Sequence, residues 1–366
     1  MRGCRCFAPA TWTVPSVTTM MTGISPDTHR VGLDKWKIPP SSVTLAEILR
    51  QAGYVTGSVS QNPYTAPNAD LDRGFDVVDQ SKISFMRLPA DAAPADEPNV
   101  RAWSRFLDNN ADKPFFLCVH TLEAHGPYKP PKRFRLFKSE NGQEGTIDRY
   151  DDGIAWTDAN LSLLVAKLKE LGLWQFTLLI VNSDHGQSFA PNEGGPGHGG
   201  KPYLARVHVP LVMHLPGLIS PGLVIEDNVQ LLDVPPTILS LLKIPVPAQF
   251  QGRSLAPLFK RLPIERRRIF CVGERPAWHA LVSGDWFFFY DDGKSSLFDI
   301  KADPGQMNDV AGSNQLVVDQ LDKQLLAYLD EQRTLAAALR KSDQPETPIS
   351  IDAEIAEQLK ALGYVH

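Results

Sequence analysis

An acid, an imidazole and an amine follow one apolar run in the middle of the chain. The run 177–182 is typical of a buried strand, and Asp184 and His185 come directly after it. A glycine-rich stretch then leads to His198 and Lys201. In open α/β sheets, ligands bind just beyond the carboxyl ends of the strands. The segment therefore predicts a metal and oxyanion site, and the alternative interpretation is a polar turn with a helix cap.

A second candidate lies near the amino end of the chain, at Thr13. The stretch 14–22 has the pattern of a helix, Pro15 lies in its first turn, and Gly23 is a plausible end. A hydroxyl at a helix N-terminus sits in a field that favours anions, so Thr13 could present a nucleophile to a phosphate or sulfate group. The alternative is that Thr13 is simply the N-cap.

Two further strands end in polar residues. The run 54–60 leads to Asn62, whose amide could donate to an oxyanion, although Asn-Pro is also an ordinary turn. The continuous apolar run 115–122 predicts a strand buried on both faces, as in a parallel sheet, and His125 follows it. We interpret His125 as an anion contact or a general acid.

The elements that must position these residues alternate between helix and strand up to about residue 262. Glycine stops, capping signals and apolar stripes predict helices at 14–22, 44–53, 99–110 and 148–172, and a further strand at 209–215. Beyond residue 262, short strands, a hairpin signal at 291–293 and helices at 314–340 and 352–362 predict an antiparallel subdomain. We therefore expect domains at 1–262 and 263–366.

Bulk properties exclude several classes of protein. A net charge of -5 argues against a nucleic-acid binder, and no stretch approaches the ~20 apolar residues of a membrane span. No apolar leader follows Met1, so the sequence shows no signal peptide, and the compartment is left open. Cys118 and Cys271 are expected to be buried free thiols, and Cys4-x-Cys6 lacks the second pair that a zinc site needs.

Taken in order, the motifs resemble those of the sulfatase family of the alkaline phosphatase superfamily. The resemblance covers nearly the whole chain and rests on segments that are weak alone and strong together: TVPS at 13–16, LDRGF at 71–75, HGPY at 125–128, SDHG at 183–186, GRSL at 252–255 and LKALGY at 359–364. It implies an α/β fold, an alkaline-phosphatase-like three-layer αβα sandwich with a mostly parallel sheet. A small antiparallel-sheet and helix subdomain would follow.

The resemblance also assigns roles to residues. Asp184 and His185 match part of a site for one divalent metal ion, Ca, Mn or Mg, and Thr13 matches the nucleophile and a third ligand. His125 and Lys201 match groups that contact the substrate oxyanion or the leaving group. His198 is a neighbouring catalytic candidate, and Asn62 is a candidate for substrate binding. The implied partner is a small anionic ester.

The sequence departs from the family pattern at two places. A sulfatase has Cys or Ser at the nucleophile, which becomes formylglycine, whereas a threonine is a secondary alcohol that would not give that aldehyde. The family also has an acidic metal-motif strand before the nucleophile, and this chain starts at Met1. We therefore expect that strand to be missing, which leaves Thr13, Asp184 and His185 as few ligands for a hard cation.

Three functions follow from these patterns. The first is metal-dependent hydrolysis of sulfate, phosphate or phosphonate esters through an activated Thr13. The second is a truncated or inactive sulfatase-like protein without catalysis. The third is phosphotransfer, which in related mutases needs two metals and more His and Asp ligands than this sequence offers.

Overall fold

The computed structural model describes residues 2–63, 69–80, 93–139, 145–193 and 195–341. The helices and strands, in chain order, are β1 Arg2–Phe7, α1 Thr13–Thr22, α2 Pro26–His29, α3 Leu45–Gln51, β2 Val55–Ser60, β3 Val77–Asp79, α4 Pro98–Asn110, β4 Phe115–His120, α5 Thr146–Glu170, β5 Leu179–Asn182, α6 Leu204–Val207, β6 His208–His214, β7 Val224–Ile225, β8 Val229–Gln230, α7 Val234–Leu241, α8 Ala256–Phe259, β9 Ile269–Val272, β10 Trp278–Ser283, β11 Trp286–Asp291, β12 Lys294–Asp299 and α9 Gln315–Leu339. The predicted helix 352–362 lies outside the described residues, as does the segment 359–364.

The chain forms two compact units that do not follow chain order. Unit 1 takes described residues from 2–45 and 178–341, and unit 2 takes those between 46 and 177. The predicted domain boundary at residue 262 stays a prediction. Within the part of the chain that the structure covers, no helix combines the length and apolarity that a membrane crossing needs.

The first sheet of unit 1 is built around β1. Its order is β5-β6-β1-β7, and β8 also pairs with β1. β6 runs antiparallel to both β5 and β1, because only the short helix α6 precedes it rather than a crossover helix. This sheet is therefore mixed, whereas the sequence predicts mostly parallel strands. Val209, Leu211 and Met213 alternate into its core.

A strand thus precedes Thr13, but it carries no carboxylate. β1 reads Arg-Gly-Cys-Arg-Cys-Phe, so it is not the acidic metal-motif strand that the resemblance implies. The sequence pattern did not reveal β1, because arginine and glycine interrupt its apolar alternation. Burial of Cys6 and Phe7, 0% and 1% exposed, anchors the strand in the core.

The second sheet of unit 1 is the predicted antiparallel subdomain. Strands β9 to β12 form a meander in the order β12-β11-β10-β9. The predicted hairpin is confirmed, since Asp292 and Gly293 both have positive φ, 46° and 87°, as its tight turn requires. Helix α9 packs on this sheet through Leu321 and Leu325.

Unit 2 contains a three-stranded parallel sheet in the order β3-β2-β4. Helices α4 and α5 pack their apolar faces against it. All six residues of β4 are half-buried, whereas the sequence predicts burial on both faces. Among the described strands, β4 pairs with β2 alone. Cys118 in β4 is a half-buried free thiol, while Cys271 is fully buried as predicted.

Candidate active site

Thr13 is the first residue of α1, and its side chain is 1% exposed. Trp12 occupies the N-cap position with extended backbone, so the N-cap interpretation of Thr13 is not confirmed. The helix ends as predicted, with Gly23 in the left-handed region at φ 65°. A buried hydroxyl therefore sits in the first turn of a ten-residue helix, where the backbone N–H groups favour negative charge.

Asp184 and His185 follow β5 at its carboxyl end, as predicted. The Ser16 hydroxyl of α1 donates to the Asp184 carbonyl oxygen at 2.5 Å, which ties this turn to the helix that carries Thr13. Gly186 N donates to the Arg206 carbonyl at 2.8 Å and fixes the other side of the turn. The backbone at Asp184 and His185 is thus a bend fixed on both sides, and the roles of the two side chains stay a prediction.

His185 connects the two candidate segments. Its Nδ1 donates to the Gly186 carbonyl at 2.9 Å, so in the neutral ring Nε2 is the acceptor. That Nε2 lies 3.4 Å from the Thr13 hydroxyl oxygen and 3.6 Å from Asp184 Oδ2. The His198 ring packs against the His185 ring with centroids 4.7 Å apart. The structure therefore brings together Thr13, Asp184, His185 and His198.

Lys201 belongs to the same unit but contacts a different sheet. Its ammonium nitrogen lies 3.0 Å from Asp291 Oδ2 at the end of β11. It also lies over the rings of Phe289 and Trp278, at 5.1 and 5.6 Å from their centroids. The loop that carries Lys201 is tied to the segment that leads into Thr13, since Gly199 N donates to the Thr11 carbonyl at 2.8 Å.

Asn62 and His125 belong to unit 2. They follow β2 and β4, which are parallel neighbours with Ser60 paired to His120, so both residues lie at the same edge of that sheet. His125 Nδ1 donates to the Gly126 carbonyl at 2.7 Å, which leaves Nε2 as the acceptor, as in His185. The arrangement agrees with the predicted positions and does not by itself assign a role.

The donor atoms around Thr13 are of the kind that a divalent cation binds, and two of their separations can be compared with metal geometry. An ion about 2.0–2.2 Å from each ligand can bridge donors up to roughly 4 Å apart. His185 Nε2 lies within this limit of the Thr13 oxygen, at 3.4 Å, and of Asp184 Oδ2, at 3.6 Å. Among the described residues, no group of three or more His, Cys, Asp or Glu side chains converges on one point. The chain thus supplies a sparse ligand set.

Two functional candidates escaped sequence reasoning. Ser16 lies within the TVPS segment, but its contact with Asp184 depends on packing α1 against the end of β5. Asp291 lies in the hairpin that the sequence indicates only as a turn, and its contact with Lys201 joins residues 90 positions apart. No local signal could have revealed either contact.

Gly186 is required by close packing behind the site. A Cβ there would stand 2.1 Å from the Ala205 carbonyl oxygen, so backbone would have to move. We expect Gly186→Ala to lower the free energy of unfolding by about 1–3 kcal/mol and to displace His185. Denaturant unfolding would measure this. Gly312→Ala is the control, because a Cβ at Gly312 meets nothing within 4 Å. Equal stability of the two variants would contradict the prediction.

Comparison with known proteins identifies the family to which this chain is similar. Residues 5–244 match the family model described as Sulfatase. Arylsulfatase K of Homo sapiens is 30% identical over 294 residues, which cover 75% of this chain and 51% of that protein. The chain therefore spans about half the length of the curated relatives it matches first.

Solved structures confirm the expected alkaline-phosphatase-like fold. The phosphonate monoester hydrolase of Agrobacterium radiobacter superposes with a TM-score of 0.74 at 19% identity, over 90% of this chain and 88% of that one. A protein solved in complex with its substrate D-glucosamine-2-N,6-O-disulfate gives 0.71 at 15% identity, over 95% and 92%. With a family model that matches well over half of its residues, the chain belongs to the sulfatase family.

Proposed function

We propose that the chain hydrolyses sulfate, phosphate or phosphonate esters, with Thr13 as the nucleophile. The observation that carries this proposal is the 3.4 Å approach of His185 Nε2 to the buried Thr13 hydroxyl at the start of α1. A hydroxyl next to an unprotonated imidazole nitrogen can lose its proton as it attacks. The N-terminal turn of α1 favours the negative charge that collects there.

The reaction has two balanced steps. The Thr13 oxygen bonds to sulfur or phosphorus, and the bond from that atom to the ester oxygen breaks. The leaving oxygen takes a proton, for which His198 or the imidazolium form of His125 is the proposed donor. Water then attacks sulfur or phosphorus, releases the sulfate, phosphate or phosphonate product from Thr13 and returns a proton to the Thr13 oxygen. Lys201 is proposed to bind the oxyanion, with Asn62 as a further substrate contact.

A divalent metal would be held by Asp184, His185 and Thr13. When bound, such an ion lowers the pKa of a coordinated hydroxyl and neutralises anionic oxygens. In its absence, the His185 lone pair itself accepts the Thr13 proton. Thr13 is a secondary alcohol, so the proposal does not include the formylglycine chemistry that a Cys or Ser at this position would give.

The substrate class is proposed from the relatives. One similar structure holds a disulfated glucosamine, and another is a phosphonate monoester hydrolase. Both substrates present a tetrahedral anionic group on an ester or amide linkage, and the site offers a hydroxyl nucleophile and a cation for that group. Small aryl sulfates, phosphodiesters and phosphonate monoesters are therefore the first compounds to assay.

Substitution of Asp184 tests the metal part of the proposal. Asp184→Asn keeps the shape of the side chain and removes its charge, so we expect Mn²⁺ affinity to fall about 10- to 100-fold. Equilibrium dialysis or electron paramagnetic resonance measures this without any need for turnover. Metal-dependent hydrolysis should fall in parallel.

The matched control is Asp330→Asn, whose side chain on α9 is 82% exposed. It should bind Mn²⁺ like the parent chain. Unchanged Mn²⁺ binding in Asp184→Asn would place the metal elsewhere. Absence of both turnover and Mn²⁺ binding in the folded parent, with every ester class assayed, would favour a non-catalytic sulfatase-like protein instead.

A further inference from the structure

Lys201 is held in a defined position by residues of the C-terminal sheet. Its ammonium nitrogen is 3.0 Å from Asp291 Oδ2 and lies over the rings of Phe289 and Trp278. The Trp278 indole N–H donates to the other Asp291 oxygen at 2.8 Å, so both carboxylate oxygens have donors. The Lys201 hydrogen bond holds the pKa of Asp291 below its usual value. Asp291 is therefore ionised at neutral pH.

With its contacts to Asp291, Phe289 and Trp278 in place, Lys201 can still bind a further anion. An ammonium group has three N–H donors, and Asp291 uses one of them. The Lys201 side chain is 37% exposed, so solvent and solutes reach it. Its backbone is fixed as well, because the Lys201 carbonyl accepts from Tyr203 N at 2.8 Å and from the Arg206 guanidinium at 3.3 Å.

We propose that Asp291 is a positioning residue, which holds the Lys201 ammonium in place for the anionic group of the ester substrate. The inference rests on the proposed function, because it names what orients one of its oxyanion contacts. A lysine has a flexible four-carbon stem, and an unrestrained one loses rotamer freedom when it binds an anion. Asp291 and the rings of Phe289 and Trp278 restrict the rotamers of Lys201 before an anion binds.

The positioning role and a merely neighbouring charge predict opposite changes in anion affinity when the charge of Asp291 is removed. Asp291 is itself an anion beside the site, so a merely neighbouring charge would repel an anionic ligand. Removing such a charge should strengthen binding of the anion. If Asp291 positions Lys201, removing its charge should instead weaken binding, by about two- to tenfold for one ordered side chain.

Asp291→Asn tests this with little change in structure, since asparagine keeps an oxygen to accept the Trp278 N–H. Asp292→Asn is the matched control, because Asp292 is exposed and adjacent in the same hairpin. Lys201→Met removes the ammonium, and Asp291→Glu restores the charge. Thermal unfolding of each variant checks that the hairpin is retained.

The direct readout is protection of Lys201 by inorganic sulfate against an amine-acetylating reagent, measured by peptide mass spectrometry. We expect the sulfate concentration for half-protection to rise two- to tenfold in Asp291→Asn, to stay near the parent value in Asp292→Asn, and to recover in part in Asp291→Glu. The KM for an anionic ester should rise in the same order, with kcat changing less.

The charged neighbours that could shift Lys201 reactivity are Glu274, Arg275, Arg206 and Lys294, and all are unchanged in these variants. Half-protection equal to or below the parent value in Asp291→Asn would overturn the inference, as would a parent Lys201 that sulfate does not protect. If the protection pattern holds but no ester is turned over, the proposed function fails and the positioning role stands.

Discussion

Thr13→Val should abolish ester turnover while leaving the protein folded. Valine keeps the branched shape of threonine in a site that is 1% exposed, so packing around α1 is preserved. The lost group is the hydroxyl that lies 3.4 Å from His185 Nε2. Thr13 and His185 are proposed to act together, and removal of the nucleophile from such a pair lowers kcat on the order of 10³- to 10⁶-fold. Steady-state turnover of the substrate that the parent hydrolyses measures it.

Thr18→Val is the matched control for this experiment. Thr18 lies on the same helix, is fully buried, and its hydroxyl donates to the Val14 carbonyl at 2.8 Å rather than to the site. We expect a small loss of stability from this variant and near-parental kcat. Thr13→Ser should retain turnover, because a primary alcohol occupies the same position.

A trapping experiment adds a second readout. Rapid acid quench during turnover should leave a sulfuryl or phosphoryl group on Thr13 in the parent, and on no residue in Thr13→Val. A Thr13→Val protein that hydrolyses esters at the parental rate would show that Thr13 is not the nucleophile. The His185 lone pair would then have to activate water instead.

Glu97→Gln should stabilise unit 2 at neutral and alkaline pH. Glu97 and Glu123 are 0% and 3% exposed, one before α4 and the other just after β4. Burial, and next the charge of Glu123, raise the pKa of Glu97 to about 8. The folded protein therefore keeps a proton on Glu97 that the unfolded chain loses above its usual pKa of 4.5.

The sign of the pH dependence follows from proton binding. Between pH 4.5 and 8 the folded state binds more protons than the unfolded state, so stability is greatest below this window and falls as pH rises through it. A pKa difference of one corresponds to about 1.4 kcal/mol, so the difference between 4.5 and about 8 corresponds to about 5 kcal/mol across this window. Above pH 8 the contribution is lost and the dependence flattens.

Glutamine preserves the local contacts. Its amide oxygen still accepts the Trp156 indole N–H, which donates to Glu97 Oε1. Its amide N–H₂ can donate to Glu123, which also accepts from Asn99 and Asn160 at 3.3 and 3.2 Å. The variant therefore replaces a titrating proton by a permanent donor.

Urea unfolding of parent and variant between pH 5 and 9 measures the effect. Glu170→Gln is the control, because the Glu170 side chain is 67% exposed on α5 and lies 3.2 Å from the Lys167 ammonium. It should leave the pH dependence unchanged. A Glu97→Gln protein with the parental slope would contradict the interpretation that Glu97 carries the titrating proton. Glu123 lies at the start of the segment that carries His125. We therefore expect a change in the Glu97–Glu123 pair to alter how rigidly His125 is positioned.

The sequence alone determined the features that depend on neighbours along the chain. The apolar run before Asp184, the end of α1 at Gly23 and the hairpin at Asp291–Gly293 all follow from periodicity and turn chemistry. The order of the motifs sufficed to predict the family, which the family model confirms. These signals are local or simply ordered, so no three-dimensional contact was needed to read them.

Only the tertiary structure decided which side chains meet. Thr13 and His185 are 172 positions apart, and Glu97 and Glu123 belong to separate elements that pack only in the fold. The antiparallel direction of β6 and the presence of β1 also depend on partner strands rather than on their own composition. Such contacts form because burial of apolar faces brings distant segments together. Which segments pack against each other depends on the whole chain and cannot be predicted from any one segment.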